Sequence, residues 1–289
     1  MVLQGSLLHF QRWHWLELLR ECYAELPALS TEWSWLHPNG RARVPPRFAT
    51  IFEMEHFPSP LGANLAIVRA AISRAAERAG RSAAEVTLVA ISKTFPSSAI
   101  RAAWEAGIHH FGENRVQEWE SKHDDVAELS ATWHLVGHLQ SNKARRAAGL
   151  FHSVDSVESL DLARRLDAAL REDPHSGQRK LRVLLEVRLA PEETKSGVEP
   201  ADVDALARGV LLLPRLELAG LMCIPPPADD PQEMRPYFRR LRELRDTLGA
   251  SLGVQLPTLS MGMSHDFEVA IEEGATEVRL GTALFGSRT

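Results

Sequence analysis

One cation stands at the end of an apolar, β-branched run: Val86-Thr-Leu-Val-Ala-Ile-Ser92 is followed by Lys93 and Thr94. A run of that length and type reads as a buried parallel strand, and Pro96 with Ser97 and Ser98 opens a helix after it. Lys93 therefore falls at the carboxyl end of a strand, where α/β sheets and barrels place their ligands. Lysines partly withdrawn from water there give up their proton more readily and suit imine formation with a carbonyl compound. Spacing alone is equally consistent with a surface lysine capping a strand.

A second group of residues could hold an anion. Gly262-Met263-Ser264-His265 precedes a segment with helical spacing at Phe267, Ala270 and Ile271, which directs N–H groups and a hydroxyl towards a helix start. The small turn Gly281-Thr282 follows the last strand-like run, and barrels build phosphate sites from their seventh and eighth loops. Taken alone, these are a serine cap and a tight turn. Opposite an imine-forming lysine they imply a phosphorylated aldehyde or ketone, either a sugar phosphate or pyridoxal phosphate.

Other strand-end residues are Glu113 and Asn114, His138 with Gln140, Ser141 and Asn142, the run Glu193-Thr194-Lys195-Ser196-Gly197, and Arg279. The set is poor in metal ligands. His134 and His138 lie four apart on a strand and loop rather than on one helix face, so no metal site is expected and His134 reads as a satisfied barrel histidine. Lys195-Ser196 lacks a nucleotide-binding glycine pattern, and no G-x-S-x-G elbow occurs. Lys195, one of five lysines, reads as a solvated loop residue, with a second imine former as the alternative.

Eight strand candidates position these groups: Val86–Ser92, Ile108–Gly112, Thr132–Gly137, Leu150–Asp155, Leu181–Leu189, Leu216–Cys223, Thr258–Met263 and Glu277–Leu280. Segments of helical period separate them, with Gly107, Pro214, Gly249 and Gly274 as punctuation, and a leading helix carries Leu65, Val68, Ile72 and Ala75 before Gly80. The alternation predicts an α/β fold, a (β/α)8 barrel of the TIM type. Residues 1–53 hold Trp13, Trp15, Trp33 and Trp35 with little regular period and read as a poorly ordered N-terminal extension, with the barrel over 54–289 starting near Met54.

The net charge of -5 is spread among interspersed acids and bases, which leaves no footprint for nucleic acid or an anionic membrane and makes a small molecule the expected ligand. Cys22 and Cys223 are too few for a disulfide framework, so a reducing cytoplasm is expected. No run of apolar residues is long enough to span a bilayer, and no basic start marks a secretory signal, while an organelle-type presequence stays open.

The runs Ile91-Ser-Lys-Thr94, Phe111-Gly-Glu-Asn114, Trp133-His-Leu-Val-Gly-His-Leu-Gln-Ser-Asn-Lys143, Lys195-Ser-Gly197, Gly220-Leu-Met222, Ser260-Met-Gly-Met-Ser264 and Val278-Arg-Leu-Gly-Thr282 resemble the pyridoxal phosphate homeostasis proteins. These are single-domain relatives of the alanine racemase N-terminal barrel, and the resemblance spans about Leu61 to Arg288. It implies pyridoxal 5′-phosphate as cofactor, held as an imine on Lys93, with Ser264, Gly281 and Thr282 at the phosphate, Arg279 at the pyridine nitrogen and Asn114 beside the ring. It also implies a protein that buffers and delivers the cofactor in vitamin B6 homeostasis, with apo-enzymes as recipients, as a monomer or weak dimer, and without a catalytic residue. Ile91 stands where the family more often has valine, and Phe95 where lysine is frequent.

The rival readings are a pyridoxal phosphate racemase or related enzyme and a Schiff-base aldolase. Racemisation needs an acid/base on each face, commonly the lysine and a tyrosine, and the only tyrosines are Tyr23 and Tyr237. An arginine at the pyridine nitrogen also disfavours its protonation and weakens the ring as an electron sink.

Overall fold

The computed structural model describes residues 60–190 and 196–286. The extension with its tryptophans, Cys22, Tyr23 and Met54, together with Glu193, Thr194 and Lys195, lies outside them.

Strand periodicity builds the barrel. Eight parallel strands close in sequence order: β1 (Thr87–Ile91), β2 (His110–Glu113), β3 (Thr132–Leu135), β4 (Ser153–Val157), β5 (Leu181–Glu186), β6 (Leu216–Met222), β7 (Thr258–Ser260) and β8 (Glu277–Leu280). Closure comes from β1 against β8, with Thr87 opposite Glu277 and Ala90 opposite Leu280. Helix α1 (Pro60–Arg78) leads the barrel. The strands are then followed by α2 (Ser97–Glu105), α3 (Val116–His123), α4 (Ala144–Leu150), α5 (Leu160–Glu172), α6 (Val203–Leu211), α7 (Arg235–Leu252), α8 (Phe267–Glu272) and α9 (Thr282–Phe285).

Because side chains alternate along a strand, each one feeds two cores. Ala90, Phe111, Trp133, Leu135, Val183, Leu185, Val278 and Leu280 join the large apolar layer between strands and helices. Val89, Ile91 and Val136 pack as a separate cluster, as do Leu184, Ala219 and Met222, and these fill the barrel interior. In the outer layer Trp119 of α3 stacks on Trp133 at 3.7 Å between ring centroids, and Trp133 on Phe111 at 5.1 Å.

The interior also holds a polar floor. His110 Nδ1 lies 3.1 Å from His134 Nε2, and His134 Nδ1 lies 3.0 Å from Asp155 Oδ2. Arg182 donates to Ser153 Oγ at 3.1 Å, to Thr258 Oγ1 at 2.7 Å and to Glu277 Oε2 at 3.3 Å. Burial, with the neighbouring His134 and Arg182, pushes His110 down to about 4, so it is neutral. His134 is thus a bonded barrel histidine. It shares one buried cluster with Asp155 and Glu277, whose ligand-type atoms all lie within 4.8 Å of one another, and the Arg182 guanidinium supplies cationic charge to that cluster.

Several sequence expectations shift, with β5 ending at Glu186 rather than Leu189 and β7 at Ser260 rather than Met263. The fourth strand starts at Ser153 rather than Leu150, because Leu150 completes α4 and the Phe151 amide bonds back to Ala147. Helix α7 runs through Gly249 to Leu252 and is ended by Gly253, whose φ of 64° suits a left-handed cap.

Candidate functional site

The turn that carries Lys93 is built from below. Ser92 is fully buried, its amide bonded to Gly112 O at 3.0 Å, and its hydroxyl donates to Glu113 Oε1 at 2.7 Å. Lys122, on the inner face of α3, inserts its ammonium under this turn. Nζ donates to Ser92 O at 3.1 Å, Glu113 Oε1 at 3.0 Å and Glu118 Oε1 at 3.1 Å. Thr94 then adopts a φ of 68°, a conformation that L-residues rarely take, and its amide is held by the Glu118 carboxylate. Burial pushes Glu118 up, but the hydrogen bonds from Thr94 N–H and Lys122 prevail and hold it below its ordinary range. Burial outweighs Lys122 and Ser92 at Glu113, whose carboxyl is raised. The result is a rigid bend that leaves Lys93 half-buried at the barrel mouth.

Two adjoining cavities meet at Lys93. One, of about 400 Å³, is lined by Lys93, Asn114, His138, Glu186, Ser196 and Arg279 with Ile91, Val136, Ile224 and Met263 as apolar walls. The second, of about 270 Å³, is lined by Lys93, Phe95, Ser264, Gly281, Thr282 and Arg279. They share Ile91, Lys93, Met263 and Arg279. Together they match the size and the apolar-with-few-polar character of small-molecule sites. A larger hollow of about 660 Å³ lies between α7 and the start of β7, at the opposite end of the strands from these two cavities.

All six residues singled out from sequence border this pair of cavities: Lys93, Asn114, Ser264, Arg279, Gly281 and Thr282. Asn114 is set by a close approach, since a Cβ on Gly137 would stand 2.4 Å from Asn114 O. Arg279 is 4% exposed and fixed at both ends of its fork, to Ser260 Oγ at 2.7 Å and Cys223 O at 2.8 Å. The Ser264 loop is pinned by Asp266, whose Oδ1 accepts the Met263 amide at 2.6 Å. Ser264 Oγ accepts the Ala283 amide at 3.2 Å, so it faces α9 rather than the start of α8 as the sequence suggested. Stacking of Phe95 on Phe285, 4.7 Å between centroids, ties α9 to the Lys93 turn.

His138 and Ser196 join the first cavity. His138 Nδ1 lies 3.3 Å from both Ser196 Oγ and Glu158 Oε1, so one nitrogen serves both and no nucleophilic relay is formed. Glu113 does not reach the cavity and is an anchor. Gln140, Ser141 and Asn142 are exposed and do not line it. Cys223 has its thiol pushed up by burial to about 12 and is unreactive.

Sequence reasoning missed two residues. Lys122 was legible as a cation in step with Val116 and Trp119 on the buried face of α3. Glu186 ends β5, but the sequence expectation carried that strand on to Leu189 and so left Glu186 in its interior. Glu186 is 6% exposed, and its Oε2 is buried with no hydrogen-bond partner. Burial and the neighbouring Glu158 push it up to about 7 against the pull of Arg279.

The chain matches the alanine racemase N-terminal domain family over residues 64–289. The fold and the lysine-centred mouth thus define a barrel of the alanine racemase N-terminal type. Among curated relatives, the pyridoxal phosphate homeostasis protein of Pseudomonas aeruginosa is 48% identical over 230 residues, 80% of this chain and 96% of that one. That of Aquifex aeolicus is 46% identical over 220 residues, 75% of this chain and 93% of that one. The chain belongs to the pyridoxal phosphate homeostasis protein family. The solved structure of PipY from Synechococcus elongatus with pyridoxal phosphate bound is 38% identical, covers 78% of this chain and all of that one, and superposes with a TM-score of 0.69. Alanine racemase from Clostridium difficile shares the fold at 14% identity and a TM-score of 0.62, with 56% of its chain covered.

Proposed function

We propose that this protein binds pyridoxal 5′-phosphate reversibly through Lys93 and acts as a carrier that buffers and hands over the cofactor. The observation that carries the reading is the paired cavity. An amine, a buried guanidinium and a hydroxyl-lined glycine turn border one space with apolar walls suited to a flat ring. The donor set fits the group: Ser264, Gly281 and Thr282 border the smaller cavity and would hold a phosphate, Asn114 lines the larger one, and Arg279 would be a permanent donor for a ring nitrogen. Bound there, the cofactor supplies an aldehyde that condenses reversibly with primary amines. Arg279, held by Ser260 and Cys223, would meet that nitrogen as a donor only and would disfavour its protonation. The Lys122 cluster keeps Lys93 oriented without itself reaching the cavity.

Recipients of the cofactor are proposed to be apo-enzymes in a reducing cytoplasm, reached by a monomer or weak dimer. No helix among the described residues is long and apolar enough to cross a membrane. The racemase reading has one observation in its favour, the titratable Glu186 in the cavity. Against it, Tyr237 sits on α7, half-buried against the outer core and away from both cavities.

The deciding experiment is spectroscopic. The purified protein is expected to absorb in the visible, and borohydride should fix the cofactor to Lys93 in peptide maps. Lys93→Ala should lose the band. Racemisation of an amino acid at the roughly 1 s⁻¹ or faster typical of enzymes would replace the carrier reading.

A further inference from the structure

The carboxyl of Glu186 is left over by both the fold and the cofactor reading. It projects from the end of β5 into the larger cavity, on strand positions in phase with Arg182 and Leu184, and is 6% exposed. Its backbone is fixed where the chain returns after β5: Val198 N donates to Glu186 O at 2.8 Å. Its side chain makes no hydrogen bond with any described residue, and Oε2 is fully enclosed. Leaving a buried carboxyl unpartnered costs folding free energy that a fold does not retain without a compensating role.

The surrounding groups do not supply the missing donor. Arg279 gives one N–H from each terminal nitrogen to Ser260 and Cys223 and makes no hydrogen bond to Glu186. His138 turns to Glu158 and Ser196, and Glu158 itself takes the Gly197 amide at 3.0 Å with its other oxygen. Lys93 borders the same cavity from β1, and Cys223 packs in the apolar layer outside the strands. Two carboxyls, Glu186 and Glu158, thus sit together on the β4–β5 side, and Val136 and Ile224 offer apolar surface beside them. A carboxylate accepts only, so its partner must bring N–H donors and preferably positive charge.

We infer that Glu186 forms an ammonium-binding subsite in which a small primary amine or amino acid docks beside the cofactor. The inference rests on the carrier reading of the cavity. It gives the protein a second ligand class: amines gather at the mouth in their protonated form and are held next to the Lys93 linkage with which they compete. Docking draws Glu186 into its ionised form. Since burial and Glu158 hold that carboxyl up to about 7, amine binding below neutrality should release a proton, and binding well above it should not.

The test uses full-length protein whose cofactor has been fixed to Lys93 with borohydride, so that no exchange can occur and only docking is read. Ethylamine and L-alanine are titrated calorimetrically in buffers of different ionisation enthalpy. Both should bind, with proton release below neutrality, and Glu186→Gln should weaken both by about tenfold or more and abolish the release. Glu158→Gln, which removes the like charge, should move the inflection in proton release to lower pH. Unchanged affinity in Glu186→Gln, or an unmoved inflection in Glu158→Gln, would overturn the subsite. So would α-proton exchange of alanine in the unreduced protein that vanishes in Glu186→Gln, which would make Glu186 an acid/base group instead. If borohydride fixes no cofactor at all, the carrier reading has failed before any amine is added.

Discussion

Replacing Lys122 with methionine should be among the most damaging single changes outside the cavity. The ammonium is buried, with 10% of its side chain exposed, and it meets three acceptors at 3.0–3.1 Å. Glu113 is entirely buried and relies on Lys122 and Ser92, so removal of the cation leaves a carboxyl with only one hydroxyl for company. Breaking one partner of a buried ion pair costs about 3–5 kcal/mol. For a domain of this size each kcal/mol corresponds to about 2–4 °C, which predicts a fall in melting temperature on the order of 6–20 °C. Glu113→Gln added to Lys122→Met should restore part of the loss, because the neutral amide no longer needs a cation. The same change frees the Ser92 carbonyl and the Glu118 carboxylate that hold the turn, so cofactor retention at Lys93 should fall as well. Thermal melts of the two single variants and the double variant, with cofactor dissociation followed by absorbance, check this. A loss below about 1 kcal/mol, or a double variant as unstable as Lys122→Met, would refute the reasoning that this cation carries the turn.

Ser264→Ala and Thr282→Ala should each speed cofactor dissociation by about 10-fold or more while leaving attachment at Lys93 intact, since each removes a donor to a charged group worth about 1.5–3 kcal/mol; stopped-flow transfer to an acceptor apo-enzyme reads the rate, and equal retention by the double variant would place the phosphate elsewhere. Deleting residues 1–53 should leave melting temperature and bound cofactor unchanged, because every site residue lies after residue 60; a large fall in either would refute the proposed domain boundary. Glu186 is held up to about 7 in the folded protein against an ordinary value near 4.5, so the folded state carries the extra proton between those values and apo-protein stability should fall as pH rises through that window. The total is about 3 kcal/mol, and urea titrations of Glu186→Gln should show that slope removed.

The sequence alone made the architecture legible and grouped most of the candidate site. Eight strand-like runs alternating with helical periods admit few arrangements other than a parallel barrel, because strands joined by helical crossovers lie parallel and need cover on both faces. Residues that follow such runs must gather at one rim, which is why Lys93, Asn114, Ser264, Arg279, Gly281 and Thr282, scattered over nearly 190 positions, could be grouped before any coordinates. Tertiary structure decided what local pattern cannot express. Whether Lys122 points into a core depends on which carboxyls arrive from β2 and α3. Ser264 faces α9 rather than α8 because β7 and β8 are neighbours across which the two loops pack. The charge of Glu186 depends on Glu158 and Arg279 arriving from other strands and on the water they exclude. Burial and long-range charge are sums over the whole fold, so they leave no mark in the spacing of any one segment.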